Sequence, residues 1–227
     1  MSTQKPLLFS SSCKDKYIDE FVDFIIRDKH PCVMAQSVLK NGNATIHVYK
    51  NLGSTESAQS ILRDIKNYLS SIDMESKEFY SFVAIFTQEN ISTEKEFERK
   101  LWEQLQQIHN LDNRDWDASV SRFPEESNFS FSIAGKAFFI IGMHPESSRL
   151  SRRSPKVALI FNLHAQFEKL REMGVFEQIR DRIRKRDRKL QGNINPMVSD
   201  FGKKSEAIQY SGRETEKNWR CPFNPKI

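Results

Sequence analysis

Phe129-Ser130-Phe131-Ser132-Ile133-Ala134-Gly135-Lys136-Ala137-Phe138-Phe139-Ile140-Ile141-Gly142-Met143 is the stretch that decides the fold. Two apolar runs, 129–133 and 137–143, flank the joint Ala134-Gly135-Lys136 and read as adjacent strands. Lys156 to Asn162 reads as a further strand. A helix starts at His164, runs to Arg171 or beyond, and has Gly174 placed as its C′ residue. The next helix carries Phe176, Ile179, Ile183 and Leu190 on one face.

Upstream, Tyr17, Phe21, Phe24 and Ile25 recur at helical spacing, which predicts a helix over 15–28. Val33 to Leu39 and Ala44 to Lys50 read as two strands around the turn Asn41-Gly42-Asn43. Ser54 or Thr55 caps a helix with Ala58, Ile61, Leu62, Ile65 and Leu69 as its apolar stripe. Phe79 to Thr87 reads as a buried strand. Thr93 and Glu96 have the spacing of a capping box ahead of a helix that turns Phe97, Leu101, Leu105 and Ile108 inward. His109 reads as a surface histidine at that helix's end, and residues 112–128 as an acidic loop. Helices and strands interleave without regular alternation. The expected fold is therefore α+β: a single domain, 15–227, with a mixed or antiparallel sheet flanked by helices, after a polar tail over 1–14.

At 227 residues the chain is long enough to bury a sizeable core, and most of its 17 phenylalanines fall in the periodic segments. No apolar run approaches the ~20 residues of a membrane span, and the first residues lack the apolar region of a secretory signal, so a cytoplasmic protein is expected. Cys13, Cys32 and Cys221 are too few and too scattered for a disulfide framework. Lys plus Arg number 35 against 30 Asp plus Glu. Seven basic side chains fall between Arg180 and Lys189. This run suits a solvated helix face or docking to an acidic protein. A single-strand nucleic-acid site is disfavoured because no aromatics interleave with it.

Phosphate-loop, dinucleotide, zinc-protease and nucleophile-elbow signatures are all absent, which removes the usual ATP, nicotinamide and flavin sites. His144 ends one apolar strand and His164 opens a helix after another, with Arg149, Arg152 and Arg153 between them. Two imidazoles and a cluster of guanidinium groups suit a cofactor that offers a metal and carboxylates, as haem does. His164 is the expected axial ligand, because a helix start after a buried strand holds an imidazole rigidly. His144 is the second candidate, and the arginines would anchor the propionates. Cys32 and Cys221, each beside a proline, offer a rival thiolate ligand.

Further groups of residues resemble the YqcI/YcgG family. These are Pro31-Cys32; His144-Pro145 with Ser148-Arg149 and Arg152-Arg153; and Phe161-Asn162 with His164, Gln166 and Phe167. Ile183-Arg184 with Arg186-Asp187, and Leu190-Gln191-Gly192 with Asn195-Pro196, follow. Gln209-Tyr210-Ser211-Gly212, and Trp219 with Cys221-Pro222-Phe223, complete the set, from about residue 15 to 225. The resemblance implies a haem-dependent monooxygenase that N-hydroxylates a guanidino group of arginine or an arginine-derived compound, as in guanitoxin biosynthesis. The implied cofactor is haem b (iron protoporphyrin IX). The implied partners are dioxygen and a small cationic guanidino substrate. With no flavin or nicotinamide signature, electrons are expected from a separate reductase or ferredoxin-like protein or from peroxide, and the charge of the basic run 180–189 predicts that it docks an acidic redox partner. Tyr210 would donate a hydrogen bond to the bound oxygen, and Glu206, Asp200 or Glu168 would meet the substrate cation. The alternative is a haem-binding sensor or carrier without oxygenase activity.

Overall fold

The computed structural model describes residues 13–26 and 30–226; all of the polar tail but Cys13 and Lys14 lies outside them. The elements run α1 (Cys13–Ile26), α2 (Val33–Lys40), β1 (Ala44–Tyr49), α3 (Thr55–Ser71), β2 (Ser81–Phe86) and α4 (Glu94–Leu111). Then come β3 (Phe131–Ile133), β4 (Lys136–Met143), a 3-10 turn (Leu150–Arg152), β5 (Val157–Leu163), α5 (His164–Glu172), α6 (Phe176–Gln191) and α7 (Ala207–Tyr210). The fold is α+β, one domain around a mixed sheet.

The strand order is β1-β2-β5-β4-β3. β1 and β2 are parallel, joined through α3, and every other neighbour is antiparallel. The stretch 129–143 forms a hairpin whose two-residue loop, Ala134 (φ 54°) and Gly135 (φ 76°), takes the left-handed backbone that such tight hairpins require. β2 and β5 are buried along their whole length. Alternation along the strands divides the core in two. Phe82, Phe86, Leu159 and Phe161 face α3 and α4. Val83, Ile85, Ala158 and Ile160 face α1 and α2. Gly142 lets α4 close on the sheet: a Cβ there would lie 2.7 Å from the Phe97 ring.

One expected element is corrected. Val33 to Leu39 is helical, because Cys32 caps its start by accepting the Ala35 N–H at 3.4 Å. Met34, Ala35, Val38 and Leu39 share one helical face on the core, a pattern that five or six residues do not distinguish from a buried strand. The capping box is rearranged: Thr93 Oγ1 accepts the Glu96 N–H, but the Glu96 carboxylate reaches back to Ser92. His109 is tied into the structure. Its Nε2 accepts the Lys226 N–H at 2.8 Å, and its ring packs on Trp116 and Phe223. Among the described residues, no helix is long and apolar enough to cross a membrane.

Candidate ligand cavity

A cavity of about 300 Å³ opens between the sheet and helices α1, α2, α5 and α6, within the usual size range of small-molecule sites. Phe21, Ile25, Val83, Ile141, Ile160 and Phe176 make its wall largely apolar. Polar groups converge on it from the turn before α2, the 3-10 turn and α6, and these include His30, Cys32, Arg152, Arg180, Arg184 and Asp187.

His30 ties the first of these segments to the second. Its Nε2–H donates to the Ser151 carbonyl at 2.8 Å, and its Nδ1 accepts the Cys32 N–H at 3.2 Å. Both ring nitrogens are therefore engaged and the tautomer is set. Burial pushes its pKa down to about 4, against the raising effect of the Ser151 bond, so the ring is neutral. Arg186 and Gln36 both donate to the His30 carbonyl, which clamps the bend before Cys32. The Cys32 sulfur sits at the N-terminus of α2. Burial raises its thiol pKa, while the Ala35 and Met34 N–H groups and the Arg152 and Arg186 cations act in the opposite direction.

The three arginines expected to act together have separate fates. Arg149 is buried and its guanidinium is taken by Asp187 and by Asn193, to whose Oδ1 it donates at 2.6 Å. Arg152 lies in the cavity wall and donates to the Gly142 carbonyl at 2.9 Å and, more loosely, to those of Tyr210 and Gln209. Burial lowers its pKa to about 10, and among the described residues no carboxylate forms an ion pair with it. Arg153 is exposed and donates to the Ser147 carbonyl.

The two histidines do not share a site. Antiparallel pairing sets Met143 beside Ala158 and Phe138 beside Leu163, so His144 and His164 leave the sheet at opposite ends. His164 falls level with Ala137, seven residues along β4 from His144, which is roughly 23 Å at ~3.3 Å per residue. Neither lines the cavity. His144 is fully buried, stacks on Phe97 with centroids 4.3 Å apart, and has no hydrogen-bond partner at either ring nitrogen. His164 packs on Phe201, with Nε2 3.2 Å from Glu168 and Nδ1 3.9 Å from Glu206. Tyr210 also lies away from the cavity. Its hydroxyl accepts the Phe131 N–H at 3.1 Å and donates to the Phe138 carbonyl, so it serves the core beside Trp102. Cys221 packs against the α3–α4 face of the core.

Burial lowers the His144 pKa to about 4; Glu94 on α4 opposes this and Arg152 reinforces it. The folded pKa therefore lies below the ~6.5 of an unfolded histidine. Stability from the neutral ring is complete above about pH 6.5 and is lost as pH falls toward about 4. His144→Leu, which keeps an apolar partner for Phe97, is expected to lose less stability than the parent between about pH 7 and about pH 5. Urea unfolding at both values checks this; equal losses would remove the imidazole as their source.

Of the acids expected to meet a substrate cation, Asp200 pairs with Arg180 at 3.0 Å and Arg184 at 3.1 Å. Glu168 pairs with Arg171. Glu206 is buried beside Tyr210, with its pKa pushed up to about 8 by burial. Asp187, which the sequence places in a resemblance motif but in no site role, is the one carboxylate among the described cavity-lining residues. Its two oxygens accept Arg149 and the Ser151 hydroxyl.

The model of the YqcI/YcgG family matches residues 21–224. The chain belongs to the YqcI/YcgG family. It is 26% identical over 209 residues, 86% of this chain and 81% of the relative, to "Uncharacterized protein YqcI" of Bacillus subtilis (strain 168). No solved structure matches it. The YqcI/YcgG match includes every segment that builds the cavity, from Phe21 on α1 to Gln209 on α7.

Proposed function

We propose that the protein is a haem-dependent N-hydroxylase of a guanidino compound, with the cofactor in the α1–α2–α5–α6 cavity. The observation that carries the cofactor reading is the donor set of that cavity. Its wall is apolar. Arg152, Arg180 and Arg184 outnumber the single acid Asp187, and Cys32 stands on a helix N-terminus. The buried Arg184 Nε has no hydrogen-bond partner, so the wall holds a donor that a carboxylate would satisfy. An apolar plane with acid arms fits these groups. Arg152 and Arg184 would take the propionates, and Cys32 replaces His164 as our choice of iron ligand, because it alone of the two lines the cavity.

Bound there, haem would supply the oxygen chemistry; the protein supplies ligation, orientation and exclusion of water. Overall, one atom of dioxygen enters the guanidino N–H bond, and the other leaves as water, with two electrons delivered one at a time by a donor protein and two protons from solvent. Asp187 is the wall group that would orient a guanidinium cation. The haem sensor or carrier remains the second reading, and one observation favours it: both Asp187 oxygens are already bonded, by Arg149 and Ser151.

Protein produced with ample haem precursor is expected to be coloured, with a Soret band that hemin titration restores after stripping. Incubated with a reductant, dioxygen and a panel of arginine and cyclic guanidines, it is expected to yield a product heavier by one oxygen in mass spectrometry. Colour without product in any pairing supports the carrier. Colourless protein that takes up no hemin removes both readings.

A further inference from the structure

The run of seven cations between Arg180 and Lys189 divides into two faces of α6. Phe176, Ile179, Arg180, Ile183, Arg184 and Asp187 follow one stripe and line the cavity. Arg180 and Arg184 share Asp200, and Arg186 donates to the His30 carbonyl. These three are internal to the fold. Arg182, Lys185 and Lys189 fall on the opposite stripe and Arg188 on its flank, and all four are exposed. Among the described residues none of the four has an acid partner. They span ~10 Å along the helix axis at ~1.5 Å per residue.

We infer that this outer stripe of α6 is the docking surface for an acidic one-electron carrier protein. Three observations support that occupant. The stripe with its flank carries four exposed cations and one exposed acid, Asp181, which bonds Arg180, so its net charge is positive and its complement acidic, and long-range attraction raises the encounter rate of such a pair. It carries no aromatic side chain, which single-stranded nucleic acid would need for stacking. The same helix forms the cavity wall, so a carrier on its outer face stands about one helix thickness, ~10–12 Å, from the cavity. Residues 1–12 contain no acid, so that segment is not the complement. The assignment rests on the redox reading above for its purpose, though the surface itself does not depend on it.

The test uses a reduced plant-type [2Fe–2S] ferredoxin, an acidic carrier, as the probe. With hemin-loaded full-length protein, stopped-flow reduction by ferredoxin is expected to slow steeply as salt rises. Arg182→Glu/Lys185→Glu/Lys189→Glu is expected to slow it at least about tenfold at low salt and flatten the salt dependence. Its reduction by dithionite and its melting temperature should match the parent's. A second arm measures binding of the apoprotein to immobilised ferredoxin. If no hemin is taken up yet the apoprotein binds ferredoxin through these residues, the docking surface stands and the cofactor reading falls. If hemin is taken up but neither rate nor binding changes in the variant, the docking surface is wrong and the cofactor reading stands. RNA retention or self-association abolished by the same substitutions, without a ferredoxin effect, also overturns it.

Discussion

Cys32→Ser is expected to abolish hemin uptake or shift the Soret band, and to remove any N-hydroxylation. The loss should exceed the roughly 100-fold that removal of an outer-shell partner of a metal ligand costs. The reasoning is positional. Cys32 lies in the cavity wall, its sulfur accepts the Ala35 N–H, and the bend that presents it is clamped from three sides: by the His30 ring, by Arg186 and by Gln36. Burial holds the free Cys32 thiol protonated, and the helix N-terminus and nearby guanidinium groups only partly oppose this, so the thiolate ligand would form as iron displaces the proton. In the parent, the ferrous–CO complex should absorb at the red-shifted position of thiolate ligation. His164→Ala should leave that spectrum intact, because His164 packs on Phe201 and Glu168 at one end of the sheet. If His164→Ala instead removes the Soret band while Cys32→Ser keeps it, the ligand reverts to the imidazole expected from the sequence.

The second large effect concerns stability. Arg149→Met is expected to cost about 3–5 kcal/mol, the usual consequence of leaving one member of a buried ion pair without its partner. Arg149 is 7% exposed and Asp187 9%, and the pair bridges the segment after β4 to α6, with Asn193 accepting further bonds from the two terminal guanidinium nitrogens. Against a total stability of about 5–15 kcal/mol this is a large fraction. The double replacement Arg149→Met/Asp187→Leu should recover much of the loss, because it removes the stranded carboxylate along with the cation. Urea unfolding of the parent and the two variants measures this. A single variant that keeps parental stability but loses hemin affinity would return Arg149 to the propionate role read from the sequence.

Much of the fold was legible because its signals are local. Ten of the helices and strands, among them α3, α4, β4 and β5, follow from apolar spacing and from caps such as Ser54 and Thr93. Gly174 and Gly192 stand just past the ends of α5 and α6 with positive φ, as their positions in the pattern suggest. The failure at Val33 to Lys40 had a cost beyond one element. Read as a strand, it hid the fact that Pro31-Cys32 marks a helix start, where a sulfur meets free N–H groups. The site was less legible, because sequence proximity stood in for spatial proximity. His144, the three arginines and His164 lie within 21 positions of one another, yet the strand β5 carries His164 to the far end of the sheet. Conversely, Cys32, Ser151 and Asp187 come from three distant segments and meet at one wall. Pairing of Arg149 with Asp187, and of Arg184 with Asp200, depends on how α6 lies over the 3-10 turn and the segment after Gly192.

By itself the sequence determined an α+β domain with a sizeable apolar core, a hairpin at 129–143, a helix as basic as α6, and membership of one family. Each of these depends on residues a few positions apart, or on the order of whole motifs. Only the tertiary structure decided which cations of α6 face inward, which of the cysteines and histidines share a cavity, and that the two imidazoles part company. Those outcomes are set by strand register and by the rotation of a helix about its axis. Both arise from burial summed over many contacts far apart in the chain, so no short run of residues encodes them.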